Sequence, residues 1–237
     1  MYSPTYGQLK SDLQRELDLQ DETFITSDEM LSYFNEAVDM IEAAIHTIYE
    51  DYFLTTEVLN LVNGTAQYNL PTDIYAQKIR RIIYSDGNSQ VFDIKRVREL
   101  DEIPYLNLPG TQAILYKYMI TNSSTAGLKI NIYPTPNITT SNVTMYYIRN
   151  AKRFTADSDV CDIPEFTNVI VQYARFKCLS KEFPDAPPAQ QAMQVLQMKQ
   201  QEMVDTLTAR VPDEDNEVIK DTRFYNDFDD WTLGGQY

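Results

Sequence analysis

The sequence predicts an α+β protein: a helical bundle built from N- and C-terminal helix pairs, an inserted antiparallel β sandwich or barrel, and an extended C-terminal arm. Near both ends of the chain, apolar residues recur at three- and four-residue steps, which is the period of an amphipathic helix. In the middle the period changes to two, and turn-forming residues separate the runs. After Pro212 neither period continues, although aromatic residues are frequent.

Four segments follow from these changes of period. Neither helical half can bury its apolar stripe alone, so packing the two halves together as a four-helix bundle is the simplest solution. The β segment is then an insertion at one end of that bundle. The predicted segments are 1–55 for the first half of the bundle, 56–158 for the β domain, 159–211 for the second half and 212–237 for the arm.

The N-terminal half contains two predicted helices. Ser3 is the expected N-cap of the first, with Pro4 at its first position. The second begins with Thr26 and Glu29 in the pattern of a capping box. Its long apolar stripe consists of Leu31, Phe34, Val38, Ile41, Ile45, Ile48 and Tyr52.

The middle of the chain has the turn chemistry of an antiparallel sheet. Two strand-like runs flank Asn63-Gly64, which is a strong hairpin signal. The same pattern recurs around Asp86-Gly87. Three more strand candidates follow, "QAILYKYMI", "LKINIYP" and "VTMYYIRN". A sandwich or small barrel is therefore expected.

Helical periodicity returns after Cys161. Asp162 is a candidate cap for the third helix, and prolines open the fourth. In the fourth helix Ala189, Leu196 and Met203 recur every seven residues, so this face is expected to be buried.

The formal net charge of −15 limits the partners that are expected. Such a chain does not coat nucleic acid non-specifically, but an acidic wall can surround DNA without sticking to it. No signal peptide pattern and no run approaching 18 apolar residues is present, so no membrane partner is expected.

Catalytic and cofactor chemistry have little support. His46 is the single histidine, and we expect it at a solvent-facing or bundle-edge position rather than in a triad. Cys161 and Cys178 are too few for a disulfide framework or a zinc site. The acidic runs near the C-terminus offer no fixed carboxylate pair for glycoside hydrolysis. We therefore expect no enzyme, no metal and no cofactor.

Basic residues gather near the ends of strand candidates. They are ordinary surface charge, or they form a docking patch for an acidic partner such as the tail of another copy. Lys95, Arg96 and Arg98 form one such group. The residues of the possible docking patch are Lys78, Arg80, Arg81, Arg149, Lys152 and Arg153.

The C-terminal segment is rich in both acids and aromatic rings. Disordered tails are usually poor in aromatics, because rings are what a chain buries. Either the segment packs on its own subunit, or its rings bind a partner as hot spots. The candidate partner-binding residues are Phe224, Tyr225, Phe228, Trp231, Leu233 and Tyr237.

Several phrases resemble one family. "YGQLKSDLQRELDL" from Tyr6, "LSYFNEAVDMIEAAI" from Leu31 and "YNLPTDIYAQKIRRIIYSDG" from Tyr68 are similar to the head-to-tail adaptors of tailed bacteriophages, especially short-tailed ones. The most telling pieces are "NLPTDI", which leads into the strand ending in "RRIIYSDG", and the "NEA" after Tyr33-Phe34. The resemblance covers most of residues 1–210 in element order.

This resemblance implies a structural virion protein at the head–tail interface, assembled in the host cytoplasm. Such adaptors form rings, commonly of about twelve copies, beneath the portal protein. The ring extends the DNA channel and offers a platform for a downstream tail or nozzle protein. C-terminal segments of the family dock on the portal or on neighbouring copies.

One alternative function remains open at this stage. A β sandwich on a helical stalk is also typical of a carbohydrate- or receptor-binding phage tail protein. That function needs exposed aromatic residues on the β domain. The candidates are Tyr116, Tyr118, Tyr146 and Tyr147.

Overall fold

The computed structural model describes residues 3–18, 24–85, 91–100, 103–104, 116–123, 127–137, 142–182 and 186–210. This part of the chain contains four longer helices and eight strands. The helices are α1 Tyr6–Glu16, α2 Ser27–Ile48, α3 Thr167–Glu182 and α4 Pro187–Thr208. The strands are β1 Leu54–Asn60, β2 Gln67–Asn69, β3 Ile74–Ser85, β4 Val91–Asp93, β5 Lys95–Arg96, β6 Lys117–Ser123, β7 Gly127–Tyr133 and β8 Asn142–Arg149.

The start of α1 differs from the prediction. Thr5, not Ser3, is the N-cap, and it forms a capping box with Gln8. The Pro4 carbonyl instead accepts the Cys161 N–H at 2.9 Å. Thr5 also forms an antiparallel bridge with Val160. The chain therefore stays extended until Thr5, because a distant segment holds it there.

The predicted start and stripe of α2 are confirmed. The Thr26 hydroxyl accepts the Glu29 N–H, and the Glu29 carboxylate accepts the Thr26 N–H at 2.9 Å. Two orphan amides of the first turn are thereby satisfied. Phe34, Val38, Ile41 and Ile45 are buried, so this helix presents its apolar face to the core.

The third helix begins later than the sequence suggested. A 3₁₀ turn, Pro164–Phe166, precedes α3, and Asp162 is not its cap. Asp162 instead accepts hydrogen bonds from the Arg149 guanidinium and from the Lys152 N–H. The heptad-spaced residues of α4, Ala189, Leu196 and Met203, are buried as predicted.

The predicted bundle of N- and C-terminal helix pairs is wrong. The main helix contacts are α3 with α4 and α2 with α3, whereas α1 has few contacts with the other helices. The short helix α1 is held instead by backbone bonds from Tyr6 and Gly7 to the carbonyls of Asp159 and Asp157, at 2.8 and 2.9 Å. Side chains from outside the four longer helices complete the core: Phe53, Ile148, Ala151, Phe154, Cys161 and Ile163. We call α1–α4 with segment 150–166 the helical body.

The middle of the chain forms two four-stranded sheets. Their strand orders are β1-β8-β3-β4 and β2-β7-β6-β5. Ile82, Val143 and Met145 of the first sheet and Ile130 and Ile132 of the second share one buried cluster. The two sheets therefore pack face to face, and we call them the sandwich.

Two details of strand pairing depart from expectation. The runs around Asn63-Gly64 do not form a hairpin, because β1 pairs with β8 and β2 pairs with β7. This turn crosses from one sheet to the other instead. The β5–β6 pair is parallel, so the pairing is not antiparallel throughout. The predicted pairing of β3 with β4 is confirmed.

Candidate interaction surfaces

The interior of the helical body contains buried charge. Glu42 is 7% exposed. Its carboxylate accepts the Ala151 N–H at 2.6 Å and the Arg153 guanidinium at 2.6 Å. These contacts satisfy the carboxylate and join α2 to the chain that leaves β8. A buried charge is tolerated only when it is paired and hydrogen-bonded in this way.

A second ion pair closes the other side of this junction. Arg149 and Asp162 face each other fork to fork, at 2.5 and 2.9 Å. Burial disfavours ionisation of Asp162, but Arg149 and the Lys152 N–H hold the pKa of Asp162 below its ordinary value. The carboxylate therefore stays ionised and fixes the exit of β8.

His46 is buried, so the prediction of a solvent-facing or edge position is wrong. Its ring stacks on Tyr75 with centroids 3.6 Å apart, and Phe53 lies beside it. Neither ring nitrogen has a hydrogen-bond partner among the described residues. Burial lowers the pKa of His46, and the Glu42 carboxylate, 3.6 Å from Nε2, opposes this only in part. The neutral imidazole belongs to the packing where β3 meets the helical body.

The six residues of the possible docking patch lie near this junction and on β3. Lys78 and Arg80 both pair with Glu50, and Arg80 also contacts Asp51 at 2.8 Å. Arg81 pairs with Asp93 at 2.7 Å. Arg149 and Arg153 are held as described above. Lys152 is exposed and makes no ion pair with a described residue.

These pairings bear on the docking patch. Five of its six cations already face a carboxylate of their own subunit, so they present less free positive charge than the sequence suggests. Exposed pairs are weak, so an acidic partner can compete for Lys78 and Arg80. Docking by these residues stays a prediction.

None of the four tyrosines considered for sugar binding is fully exposed. Tyr147 is 5% exposed, and its hydroxyl donates to Asp73 at 2.9 Å. Tyr116 and Tyr118 pack against the sandwich core, and Tyr146 is half-buried. Stacking on a sugar needs an open ring face, which the buried Tyr147 does not offer.

One edge of the sandwich carries exposed apolar side chains. Leu54, Val58 and Val62 are 45%, 53% and 53% exposed. They lie on β1 and on the turn to β2, and both strands are sheet edges. Glu57 is the single charged residue between 54 and 69. We call residues 54–69 the first flank.

The turn within the first flank is firmly held. The Tyr68 hydroxyl accepts the Val62 N–H at 3.0 Å and donates to the Thr65 carbonyl at 2.7 Å. Gly64 adopts φ 75°, where a side chain is disfavoured, and its N–H donates to the Pro136 carbonyl at 2.8 Å. The exposed apolar groups therefore sit on a fixed surface.

The opposite edge of the sandwich has a different character. It consists of β4 and β5, the other edge strands, which Ile94 joins. Val91 is 61% exposed. Lys95 and Arg96 are exposed and form no ion pair with a described residue. We call residues 91–98 the second flank.

The described chain ends on the helical body. Arg210, just after α4, donates to Glu165 of the 3₁₀ turn before α3. The predicted arm and its candidate partner-binding residues lie outside the described residues. These are Phe224, Tyr225, Phe228, Trp231, Leu233 and Tyr237.

Sequence reasoning missed the first flank, whereas it had already noted Lys95, Arg96 and Arg98 of the second flank as a basic group. The available signal was the scarcity of charge between 54 and 69 in a chain that is 23% charged. The hairpin predicted at Asn63-Gly64 would have paired β1 with β2 and left only one of them at an edge. The low charge of this segment was therefore not interpreted as a sign of an exposed edge.

In the described ranges, no group of three or more His, Cys, Asp or Glu residues is arranged to hold a metal ion. Within the same ranges, no helix has the length and apolar character needed to cross a membrane.

Comparison with known proteins identifies the family. No curated protein matches the chain. The family model described as SU10 adaptor protein matches residues 4–220, which is nearly the whole chain and includes both the helical body and the sandwich. The family implies a structural, non-enzymatic component of a phage virion that interacts with portal and tail proteins. The chain belongs to the SU10 adaptor protein family.

Proposed function

We propose that this protein forms a ring beneath the portal of a tailed phage, extends the DNA channel and provides the platform for a tail or nozzle protein. The family match over residues 4–220 carries this proposal. The ring contains about twelve copies, as the resemblance to head-to-tail adaptors implies. Assembly takes place in the host cytoplasm before the tail is added.

The charge of the chain supports a role as a channel. With a net charge of −15, the subunit repels phosphate, and its described cations are largely paired with carboxylates. Every phosphate contact would retard the sliding of DNA. An acidic or neutral lumen lets DNA pass without sequence-specific binding.

We assign the segment from 212 to 237 to partner binding. It starts next to Arg210, whose pairing with Glu165 fixes the end of α4. Its 26 residues reach roughly 85–90 Å when fully extended, which is enough to reach a neighbouring subunit or the portal. The rings from Phe224 to Trp231 supply the apolar anchors, and the acids speed docking onto basic surfaces.

Imaging of the protein co-expressed with the portal protein of the same phage tests the function. The expected result is a portal ring with an added tier of density below it. A chain truncated after Val211 is the matched variant for the partner-binding segment, and it is expected to lose the tier while staying folded. Portal rings without the tier in the full-length sample would contradict the proposed function.

A further inference from the structure

The two flanks lie on opposite sides of one sandwich. β1 and β4 are the two edges of the first sheet, and β2 and β5 are the two edges of the second. The first flank therefore closes one side of the sandwich and the second flank closes the other. Surfaces on opposite sides of a subunit generate head-to-tail contacts, which close into a ring when the rotation allows.

The first flank lacks most of the devices that protect a sheet edge. β1 contains neither lysine nor proline, and its register with β8 is uninterrupted over seven residues. Edge strands normally carry such residues or a bulge to prevent pairing with another chain. Its exposed residues Leu54 and Val58 are apolar instead. The one charge, Glu57, has no ion-pair partner among the described residues.

We propose that neighbouring copies contact each other through these flanks, the first flank of one copy packing against the second flank of the next. This inference rests on the proposed ring and specifies how its subunits join. The occupant of each flank is a second copy of this chain.

Charge favours this arrangement over contacts between like flanks. Contact between two first flanks would place Glu57 of one copy near Glu57 of the other. Contact between two second flanks would place Lys95 and Arg96 of one copy near the same cations of the other. Contact between unlike flanks brings Glu57 near Lys95 and Arg96, none of which forms an ion pair with a described residue of its own subunit. Charge complementarity of this kind suppresses the wrong pairing more than it adds affinity.

Strand direction is also compatible. β1 to β8, β8 to β3 and β3 to β4 are all antiparallel steps, so β1 and β4 run in opposite directions. A β4 edge placed beside the β1 edge of the next copy therefore continues the antiparallel order of the sheet. The exposed Val91 of β4 would then lie beside the apolar residues of β1.

Cysteine cross-linking in the portal-bound assembly tests the inference. Both native cysteines, Cys161 and Cys178, are buried, so the background is low. A double variant, Val58→Cys with Val91→Cys, is treated with a short bismaleimide and analysed on a denaturing gel. Both positions are more than half exposed, so neither substitution removes core packing.

The expected result is a ladder of trimers and larger species from the double variant, and monomer from each single variant. Portal-bound tiers that give no ladder would overturn the inference and leave the proposed function intact. Dimers from Val58→Cys alone would also overturn it, because they report contact between like flanks. If the wild-type protein adds no tier to the portal, the proposed function fails and this inference fails with it.

Discussion

The helical body and the sandwich differ in how much charge they bury and in where they expose apolar side chains. The helical body buries charge and satisfies it internally, as Glu42 does with Ala151 and Arg153. The sandwich keeps its core mainly apolar, with Asn131 as its buried polar residue among those described. At its first flank, however, it leaves Leu54, Val58 and Val62 in solvent.

This difference supports the proposal that neighbouring copies meet at the sandwich. The polar cluster of the helical body links α2, β8 and segment 150–166 into one unit, so it fixes geometry within the subunit. Removing exposed apolar groups from water is favourable, and groups on a fixed edge leave water only when another surface covers them. The helical body also exposes apolar side chains, Val160 and Met198 among them. The first flank differs because its exposed apolar groups lie along a sheet edge, where another strand can pair.

The largest expected effect separates core from surface. Phe34 is fully buried between Tyr6 and Phe154, with ring centroids 5.3 and 6.4 Å away. Phe34→Ala is expected to lower the free energy of unfolding by about 3–5 kcal/mol, because it leaves a cavity. Chemical denaturation followed by circular dichroism measures this loss.

The control for that change is Leu100→Ala at a side chain that is 70% exposed. Its expected effect is within about 0.5 kcal/mol. Similar losses for the two variants would mean that Phe34 does not join α1, α2 and segment 150–166 as the structure indicates.

The second largest effect on stability is expected at the buried carboxylate of Glu42. Glu42→Gln removes the charge that faces Arg153 and weakens the hydrogen bond from the Ala151 N–H. The free energy of unfolding should therefore fall by about 2 kcal/mol. The matched control is Glu202→Gln, whose partner Lys199 lies 2.7 Å away on an exposed helix face. That change should cost less than about 0.5 kcal/mol. Equal losses of unfolding free energy in the two variants would contradict the view that the buried Glu42 carboxylate stabilises the helical body.

A smaller effect depends on pH. Burial lowers the pKa of His46 below its ordinary value of 6.5, while Glu42 and Glu50 oppose this and Lys78 reinforces it. Between the two pKa values the unfolded chain binds the proton and the folded chain does not. Stability from this residue is therefore complete above pH 6.5 and falls as the pH drops below it, by at most about 1.4 kcal/mol per pH unit.

The variant His46→Phe should remove this slope while keeping the contact with Tyr75. Unfolding free energies of both proteins, measured at intervals from about pH 7.5 down to about pH 5, test this prediction because this range spans the ordinary titration of histidine. Asp162, with its lowered pKa, loses its contribution only at more acidic pH, so it does not interfere. Parallel pH curves for the two proteins would contradict the assignment.

The smallest effect on the stability of the subunit is expected from changing the charge of the first flank. Glu57→Lys should change the free energy of unfolding by no more than about 0.5 kcal/mol, because the residue is exposed and forms no ion pair with a described residue. It should still reduce the amount of protein that joins the portal, since it then faces Lys95 and Arg96 of the next copy. Sedimentation of the assembly measures this.

Two companion variants sharpen that result. Glu57→Gln removes the charge without reversing it, and it should reduce assembly less than Glu57→Lys. Adding Lys95→Glu and Arg96→Glu to Glu57→Lys should restore assembly. A charge-reversed Glu57 that assembles as well as the wild type would count against contact between unlike flanks.

Local signals in the sequence were reliable where the partner was also local. The capping box of Thr26 with Glu29 and the buried spacing of Ala189, Leu196 and Met203 needed only neighbours along one helix. Predictions failed where a distant segment decided. Asp162 binds Arg149 instead of capping the third helix. Asn63-Gly64 links two sheets because β1 pairs with β8 and β2 pairs with β7.

The bundle prediction failed for the same physical reason. Apolar stripes show that a helix is buried, but not what covers it. Here Phe154 and Ile163 from a non-helical segment cover part of the core that facing helices were expected to fill. The first flank was also missed, because the hairpin expected at Asn63-Gly64 would have paired β1 with β2, whereas they pair with β8 and β7.

Hydrogen exchange of β1 tests most directly whether neighbouring copies complete the sandwich. Backbone amides of Leu54–Asn60 are compared between the free protein and the portal-bound assembly, with the interior of α2 as the internal reference. The account predicts slower exchange in β1 on assembly and unchanged exchange in α2. Unchanged exchange in β1 within an assembly that has formed would contradict it.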